Sequence, residues 1–486
     1  MGLETLSQLS SFSLLSPSAP SILSPRLGSL NVAGRKPQQT PHYVPITSRG
    51  TVPHIAHDVM KDHAKIDSVY VGLEDWAPAR QAESLLVLQK ARHESPVYKL
   101  PAAAHESPLR KFIAFPEDVA LILGPRRIPP IACPTSNTEN SISIMTSVGF
   151  RQLEAGQYIE AIQKLRPDIV IGLSDLVQGA KPGVKRRMKM VDRTHAYTRD
   201  ATEQLYGDWV GSEAQSKTLY FAPVLPLENT QQQLYLQDLA EDLRPRISGL
   251  ALYESASLSI IPEDLGDLPR LSLSEYKTPH DILKDISLGA DLVTIPFLSA
   301  ASDGGIALDF TFPAPASSSG SSTSSCTSPQ RPLAFDMWSP SYTTDLSPIT
   351  VDCQCYTCTK HHRAYIRHLL SAKEMLAWTL LQIHNFHTMD LFFAGIRNSI
   401  EKGTFDEDIA TFARVYESEL PQQTGTGPRL RGYQLPSAGP GQPRPNPRAY
   451  GRLDDAVEKY AESLSSVATP DAGADEMQAR GFAEKK

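Results

Sequence analysis

Short, nearly uninterrupted apolar runs alternate along this chain with longer stretches whose apolar residues recur every three or four positions. The runs at 168–175, 218–225, 247–252 and 290–296 read as strands buried on both faces. Between them, Leu153–Leu165, Lys185–Thr198, Gln231–Leu243 and Pro279–Leu288 carry the helical period. Strands alternating with helices predict a parallel sheet covered by helices. At this length a (β/α)8 TIM barrel leads. A doubly wound sheet ranks second, because no glycine-rich phosphate loop follows any run.

Three segments break the pattern. Residues 1–25, rich in Ser, Leu and Pro, read as a flexible N-terminus. Residues 313–332, which contain Ser317-Ser318-Ser319-Gly320-Ser321-Ser322, read as a disordered surface insertion. The tail 421–486 is rich in Pro and Gly through Arg448, with a short helix expected at 453–464. The barrel is thus expected to occupy 26–420.

The net charge of -7 excludes a whole-protein basic field, so any RNA contact must come from local patches. Two clusters qualify: Lys181, Lys185, Arg186, Arg187, Lys189 and Arg193, and then Lys360, Arg363 and Arg367. Each could equally be a solvated helix face. The stretch Ala377–Phe393 reads either as core or as a partner-binding surface. No apolar run approaches the roughly 20 residues that span a bilayer. The first residues have neither a basic region ahead of an apolar stretch nor the arginines of a mitochondrial presequence. Cytoplasm is the expected location.

Cysteine usage adds chemistry. Of five cysteines, Cys353, Cys355 and Cys358 fall within six residues, which points to a metal site and not to disulfides. On an extended segment Cys353 and Cys355 point the same way, and Cys358 follows after a two-residue turn. A closed tetrahedral zinc site needs a fourth ligand. His361, His362, His368, His384 and His387 all follow. His384 lies 26 residues beyond Cys358 and can return only if the helical stretch 361–398 is broken. On spacing alone the fourth ligand stays open.

Cys353-x-Cys355-x-x-Cys358, followed by Arg363-Ala-Tyr-Ile-Arg-His-Leu369 and Ile383-His384-Asn385, resembles the zinc subdomain of the tRNA-guanine transglycosylases. Further matches are Gly50-Thr-Val-Pro-His54, Lys189-Met-Val-Asp-Arg-Thr194, Gly249-Leu-Ala-Leu-Tyr-Glu254 and Thr278-Pro279 with Gly289-Ala-Asp291. The resemblance covers about 26–398. It implies a TIM barrel with an inserted zinc subdomain at about 351–398, one structural Zn2+, and His384 as the fourth ligand.

The family's reaction needs one carboxylate to attack the ribose and a second to move protons. By the resemblance, Thr294 stands at the first position and Thr146 at the second. Leu225 stands where a base-reading Gln is expected, while Asp175 and Glu254 survive. Asp291, three residues before Thr294, should face the opposite side of its strand and serve structure. Asp303 and Asp309 would matter only if the following loop folded back. The resemblance therefore implies the non-catalytic half of a heterodimer. Its catalytic partner would exchange the wobble guanine of GUN-anticodon tRNAs (Asp, Asn, His, Tyr) for queuine, and this half would help hold the tRNA. Family analogy adds peripheral association with the mitochondrial outer membrane. Competing readings are a queuine-binding or storage protein without a tRNA role, and an active transglycosylase with an unusual nucleophile.

Overall fold

The computed structural model describes residues 10–16, 23–76, 95–103, 106–133, 135–146, 149–178, 182–207, 216–315 and 330–428. Eight parallel strands lie side by side in the order β4 (His42–Val44), β13 (Leu292–Thr294), β12 (Arg270–Ser272), β11 (Gly249–Leu252), β10 (Leu219–Val224), β9 (Ile169–Ile171), β6 (Ala120–Gly124) and β5 (Ser68–Gly72). The ends of this sheet meet where Tyr70 N donates to Pro45 O and Thr47 N to Tyr70 O, both at 2.9 Å. The result is the expected barrel. Every strand is buried on both faces, which explains the unbroken apolar runs. Val44, Ile122, Ile169, Ile171, Phe221, Leu271 and Leu292 pack together in one core. Their neighbours Tyr43, Leu121, Val170, Tyr220, Leu250 and Val293 belong to a second core shared with the helices.

Helices α1 (His57–His63), α2 (Pro108–Phe112), α3 (Ala155–Leu165), α4 (Val184–Tyr206), α5 (Asn229–Ala240), α6 (Pro279–Ser287) and α7 (Pro296–Asp303) supply most crossovers. Two 3-10 turns, Ser255–Ile260 and Glu263–Leu265, replace a helix between β11 and β12. A hairpin of β7 (Ser141–Thr146) and β8 (Gly149–Glu154) sits between β6 and α3 and takes Leu153 out of the helix expected there. After α7 come a second hairpin, β14 (Ile306–Leu308) with β15 (Ala334–Asp336), and the helices α8 (Tyr356–Lys360), α9 (Arg363–Ser371), α10 (Met375–Lys402) and α11 (Phe405–Val415).

The expected flexible ends need correction. Residues Ser10–Ser16 form β1, antiparallel to β2 (Leu27–Val32), which pairs with β3 (Gln38–Thr40). Phe12 covers the guanidinium of Arg26 at 5.4 Å, so burying a cation underneath gives this strand its anchor. The insertion is narrower than 313–332: Ala314 and Leu333 are buried, and Arg331 bridges to Tyr416. The tail begins later than 421, because the Thr424 hydroxyl donates to Asp336 and Gly425 lies against Trp338, whose ring leaves no room for a Cβ. Ser317–Ser322, Lys181 and the helix expected at 453–464 lie outside the described residues.

Arg26 also explains Asp291. That carboxylate is fully buried at the start of β13, paired with Arg26 and accepting from Arg270 N at 2.7 Å. Its odd offset from Thr294 puts it on the opposite face of the strand, and its role is structural. Asp291→Ala would strand a buried guanidinium, although Arg26 keeps the carbonyls of Gly266 and Leu268. The expected cost is therefore at the lower end for a broken buried pair, about 3 kcal/mol, checked by urea unfolding.

A second polar seam joins the barrel to α10. The Tyr43 hydroxyl donates to Asp390 at 2.6 Å, and Lys65 N donates to the other oxygen at 3.1 Å. Burial, with Arg397 nearby, pushes His42 down to about 3, so it is neutral near pH 7 and its 3.6 Å approach to Asp67 is not an ion pair there. Burial pushes Asp67 up to about 6, against the pull of Lys36. A carboxyl raised in the fold binds more protons folded than unfolded between pH 4 and 6. Stability should then fall as pH rises through that window and stay lower above it. Asp67→Asn is expected to flatten the 4–6 profile and add about 1–2 kcal/mol at pH 7, read from melts across pH.

Candidate functional site

The metal-ligand candidates converge. Cys355 caps α8, where Cys358 N donates to its Sγ at 3.3 Å. Hydrogen bonds within the cluster hold the Cys353 thiol well below its ordinary value and push the Cys355 thiol up, as thiols packed this closely cannot all ionise together. The long helical stretch is broken as required: α9 ends at Ser371, Lys373 adopts a left-handed backbone, and α10 packs back against both α8 and α9. His384 Nδ1 then lies 3.8, 3.6 and 3.4 Å from the Sγ atoms of Cys353, Cys355 and Cys358. Tetrahedral ligation with ordinary metal–sulfur and metal–nitrogen lengths places such atoms about 3.6 Å apart. The four donor atoms all lie within 4.8 Å of one another, so the group fits one ion. His384 Nε2 is 2.8 Å from Leu308 O, which orients the ring. Asn385 secures that carbonyl's strand by accepting from Leu308 N at 2.9 Å and donating to Ile306 O. The His-Asn pair thus places one candidate ligand and the residue that supports it side by side. His361, His362 and His368 stay outside the group.

The carboxyl ends of the barrel strands surround a cavity of about 180 Å3 lined among others by Tyr70, Arg126, Gln178, Tyr253, Glu254 and Glu275. Neither Thr294 nor Thr146 lines it. Thr294 is completely buried and its hydroxyl donates to Ser272 O at 3.3 Å. Thr146 is buried at the end of β7, bonded to Gly149 O at 2.8 Å. Leu225 is fully buried, and its loop is clamped from outside. Gln232 donates to Leu225 O and Leu227 O, both at 2.9 Å, and Ser257 donates to Leu225 O at 3.1 Å. Gln232 is a residue the sequence reading missed; its one signal is an amide within a helix's buried face.

Asp175 is buried and saturated. Arg186 binds both its oxygens, Arg193 adds a bond at 3.1 Å, and Asn137 another at 2.6 Å. Hydrogen bonds from Arg186 and Asn137 outweigh burial and hold the carboxyl below the usual range. Asp303 contacts His54, and Asp309 accepts from Thr350, so the loop does not bring either into the mouth.

The cation clusters shrink accordingly. Arg186 and Arg193 are spent on Asp175. Arg363 lies between the rings of Phe335 and Tyr342, at 4.8 and 5.2 Å, and donates to Ile349 O, while Arg367 donates to Ser339 O. Lys185, Lys189 and Lys360 remain exposed. Ala377–Phe393 is mainly core, with Leu391 exposed. Beside the metal group, however, the rings of His63, Tyr356, His361 and Tyr365 form a chain of contacts 5.0–5.6 Å apart, with both tyrosines exposed.

A family model described as queuine tRNA-ribosyltransferase matches residues 22–418. Among curated proteins, the chain is 36% identical over 448 residues to the queuine tRNA-ribosyltransferase accessory subunit 2 of Schizosaccharomyces pombe, covering 92% of each chain. It is 28% identical to the protein of the same name from Xenopus tropicalis, over 78% of this chain and 94% of that one. It is 27% identical to that of Drosophila pseudoobscura pseudoobscura, over 78% and 86%. The barrel, the Cys3His group and these matches over most of its length agree: the chain belongs to the queuine tRNA-ribosyltransferase family.

Proposed function

We propose that this chain is the non-catalytic accessory subunit of a heterodimeric queuine tRNA-ribosyltransferase. Its catalytic partner exchanges the wobble guanine of GUN-anticodon tRNAs (Asp, Asn, His, Tyr) for queuine, and this chain supports that partner and helps position the tRNA. The observation that carries the reading is Thr294: a fully buried hydroxyl bonded to a backbone carbonyl stands where the resemblance calls for an attacking carboxylate. The names of the relatives support the accessory role.

Zinc is the metal that three thiolates and one imidazole favour. Cys353, Cys355, Cys358 and His384 would hold it in a closed site, where it braces the fold and offers no position for substrate. The partner docks on the metal subdomain. Exposed Leu346, Val351, Tyr356, Tyr365, Met375 and Leu376 cluster in that segment, and aromatic side chains at a surface are typical anchors of interfaces. The complex works in the cytoplasm, with peripheral association at the mitochondrial outer membrane.

The test mixes the purified chain with its catalytic partner and follows queuine incorporation into tRNA. Incorporation is expected only from the mixture. Full activity of the partner alone, or incorporation by this chain alone, would sink the proposal. The mouth cavity, with the Tyr70 and Tyr253 rings and two carboxylates, favours a second reading in which the chain carries free queuine. Calorimetric titration of the isolated chain with queuine decides that point.

A further inference from the structure

A recess of about 350 Å3 lies beside the barrel mouth, between the start of α4, the loop after β10 and the turn after β11. It is lined by Arg187, Glu228, Gln231, Glu254, Ser257 and Ser259, with Pro226, Leu227 and Ile260 as apolar wall. Arg187 Nε and Gln231 Oε1 are both buried there without a hydrogen-bond partner. A buried donor and a buried acceptor left unpaired beside one cavity are costly, and both belong to side chains that line it. The carboxylates of Glu228 and Glu254 have no partner among the described residues. They would repel a phosphate placed in the recess. A nucleobase suits it better: uncharged, flat, and carrying acceptors and donors on adjoining edges. Lys185 and Lys189 stand one turn apart on the exposed face of α4, unpaired among the described residues, beside the exposed apolar side chains of Val184 and Met188.

We propose that this recess receives one unstacked base of an RNA strand, held by Arg187 and Gln231, while Lys185 and Lys189 take the neighbouring phosphates. The proposal rests on the tRNA-holding role and names where that contact is made. The acidic chain as a whole could not attract RNA, so a local pairing of cations with a base-sized recess is what such a role requires.

The test measures binding of a full-length tRNA transcript to the full chain by fluorescence anisotropy over a range of salt. Arg187→Ala with Gln231→Ala is expected to weaken binding about tenfold with little change in salt dependence. Lys185→Gln with Lys189→Gln is expected to reduce the slope of log affinity against log salt by about 1.4, or 0.7 for each phosphate lost. Unchanged melting temperatures confirm that the variants fold. If the wild-type chain binds tRNA and both double variants match it, the recess is not the contact and the tRNA-holding role stands. If the wild-type chain fails to bind tRNA, that role itself falls. Should the Arg187 and Gln231 changes weaken heterodimer assembly and leave tRNA binding intact, the recess serves a protein partner and the inference is overturned.

Discussion

Cys358→Ser, or removal of the metal with a strong chelator, is expected to unfold the segment from β14 through the first half of α10 and to abolish docking of the catalytic partner. The reason is the size of what the ion holds. The segment's own core is a small cluster that includes Met337, Ile349, Ile366, Leu370, Trp378 and Leu380, plus two of the cysteines themselves. Its hairpin strands are three residues each and α8 is five residues long. Elements this short do not persist without external constraint. Structural zinc contributes roughly 10–16 kcal/mol of binding free energy in isolated peptides. Here part of the segment also leans on the barrel, through Asn385 on Leu308 N and Trp378 on Asp303 O. A loss of about 5 kcal/mol, confined to this segment, is therefore expected. Hydrogen exchange read along the chain, together with metal content by mass spectrometry, checks it. Unchanged protection of α8 and α9 in fully demetallated protein would show that packing alone holds the subdomain.

What the sequence revealed and what it hid divide along the range of the interactions. Strands buried on both faces declare themselves locally, so β9, β10, β11 and β13 could be read as apolar runs, and the cysteines could be read because metal geometry constrains spacing. The hairpin β7–β8 was legible in principle from the alternation of Ser141, Ile142, Ser143 and Ile144, but its outer strand, with Arg151 and Gln152, looks like a polar helix start. Non-local polar contacts left no such trace. Arg26 meets Asp291 across 265 residues, and the Tyr43 hydroxyl meets Asp390 across 347. The same limit shrank the cation clusters: a row of arginines does not show that Asp175, or a pair of aromatic rings, has already claimed its members. Nor does a serine-rich leader show that one phenylalanine in it covers a buried guanidinium.

Thr294→Asp is the most direct challenge to the accessory role, and it is expected to damage the protein without creating an enzyme. The position has no solvent exposure, and its hydroxyl faces the carbonyl of Ser272, an acceptor. A carboxylate there faces that acceptor in exchange for its lost hydration. The expected outcome is destabilisation of about 4 kcal/mol or protonation of the new acid, and a protonated acid is no nucleophile. Adding Thr146→Asp does not help, because that side chain is buried at the end of β7 against Gly149 O, and Leu225 still stands where the resemblance calls for a base-reading Gln. Denaturing gels with labelled tRNA should show no covalent RNA adduct for either variant, while urea unfolding shows the loss. An adduct formed by Thr294→Asp alone would mean that the strand end opens to a ribose on the timescale of reaction. The buried hydroxyl would then be the single barrier between this chain and catalysis, and the accessory reading would fall.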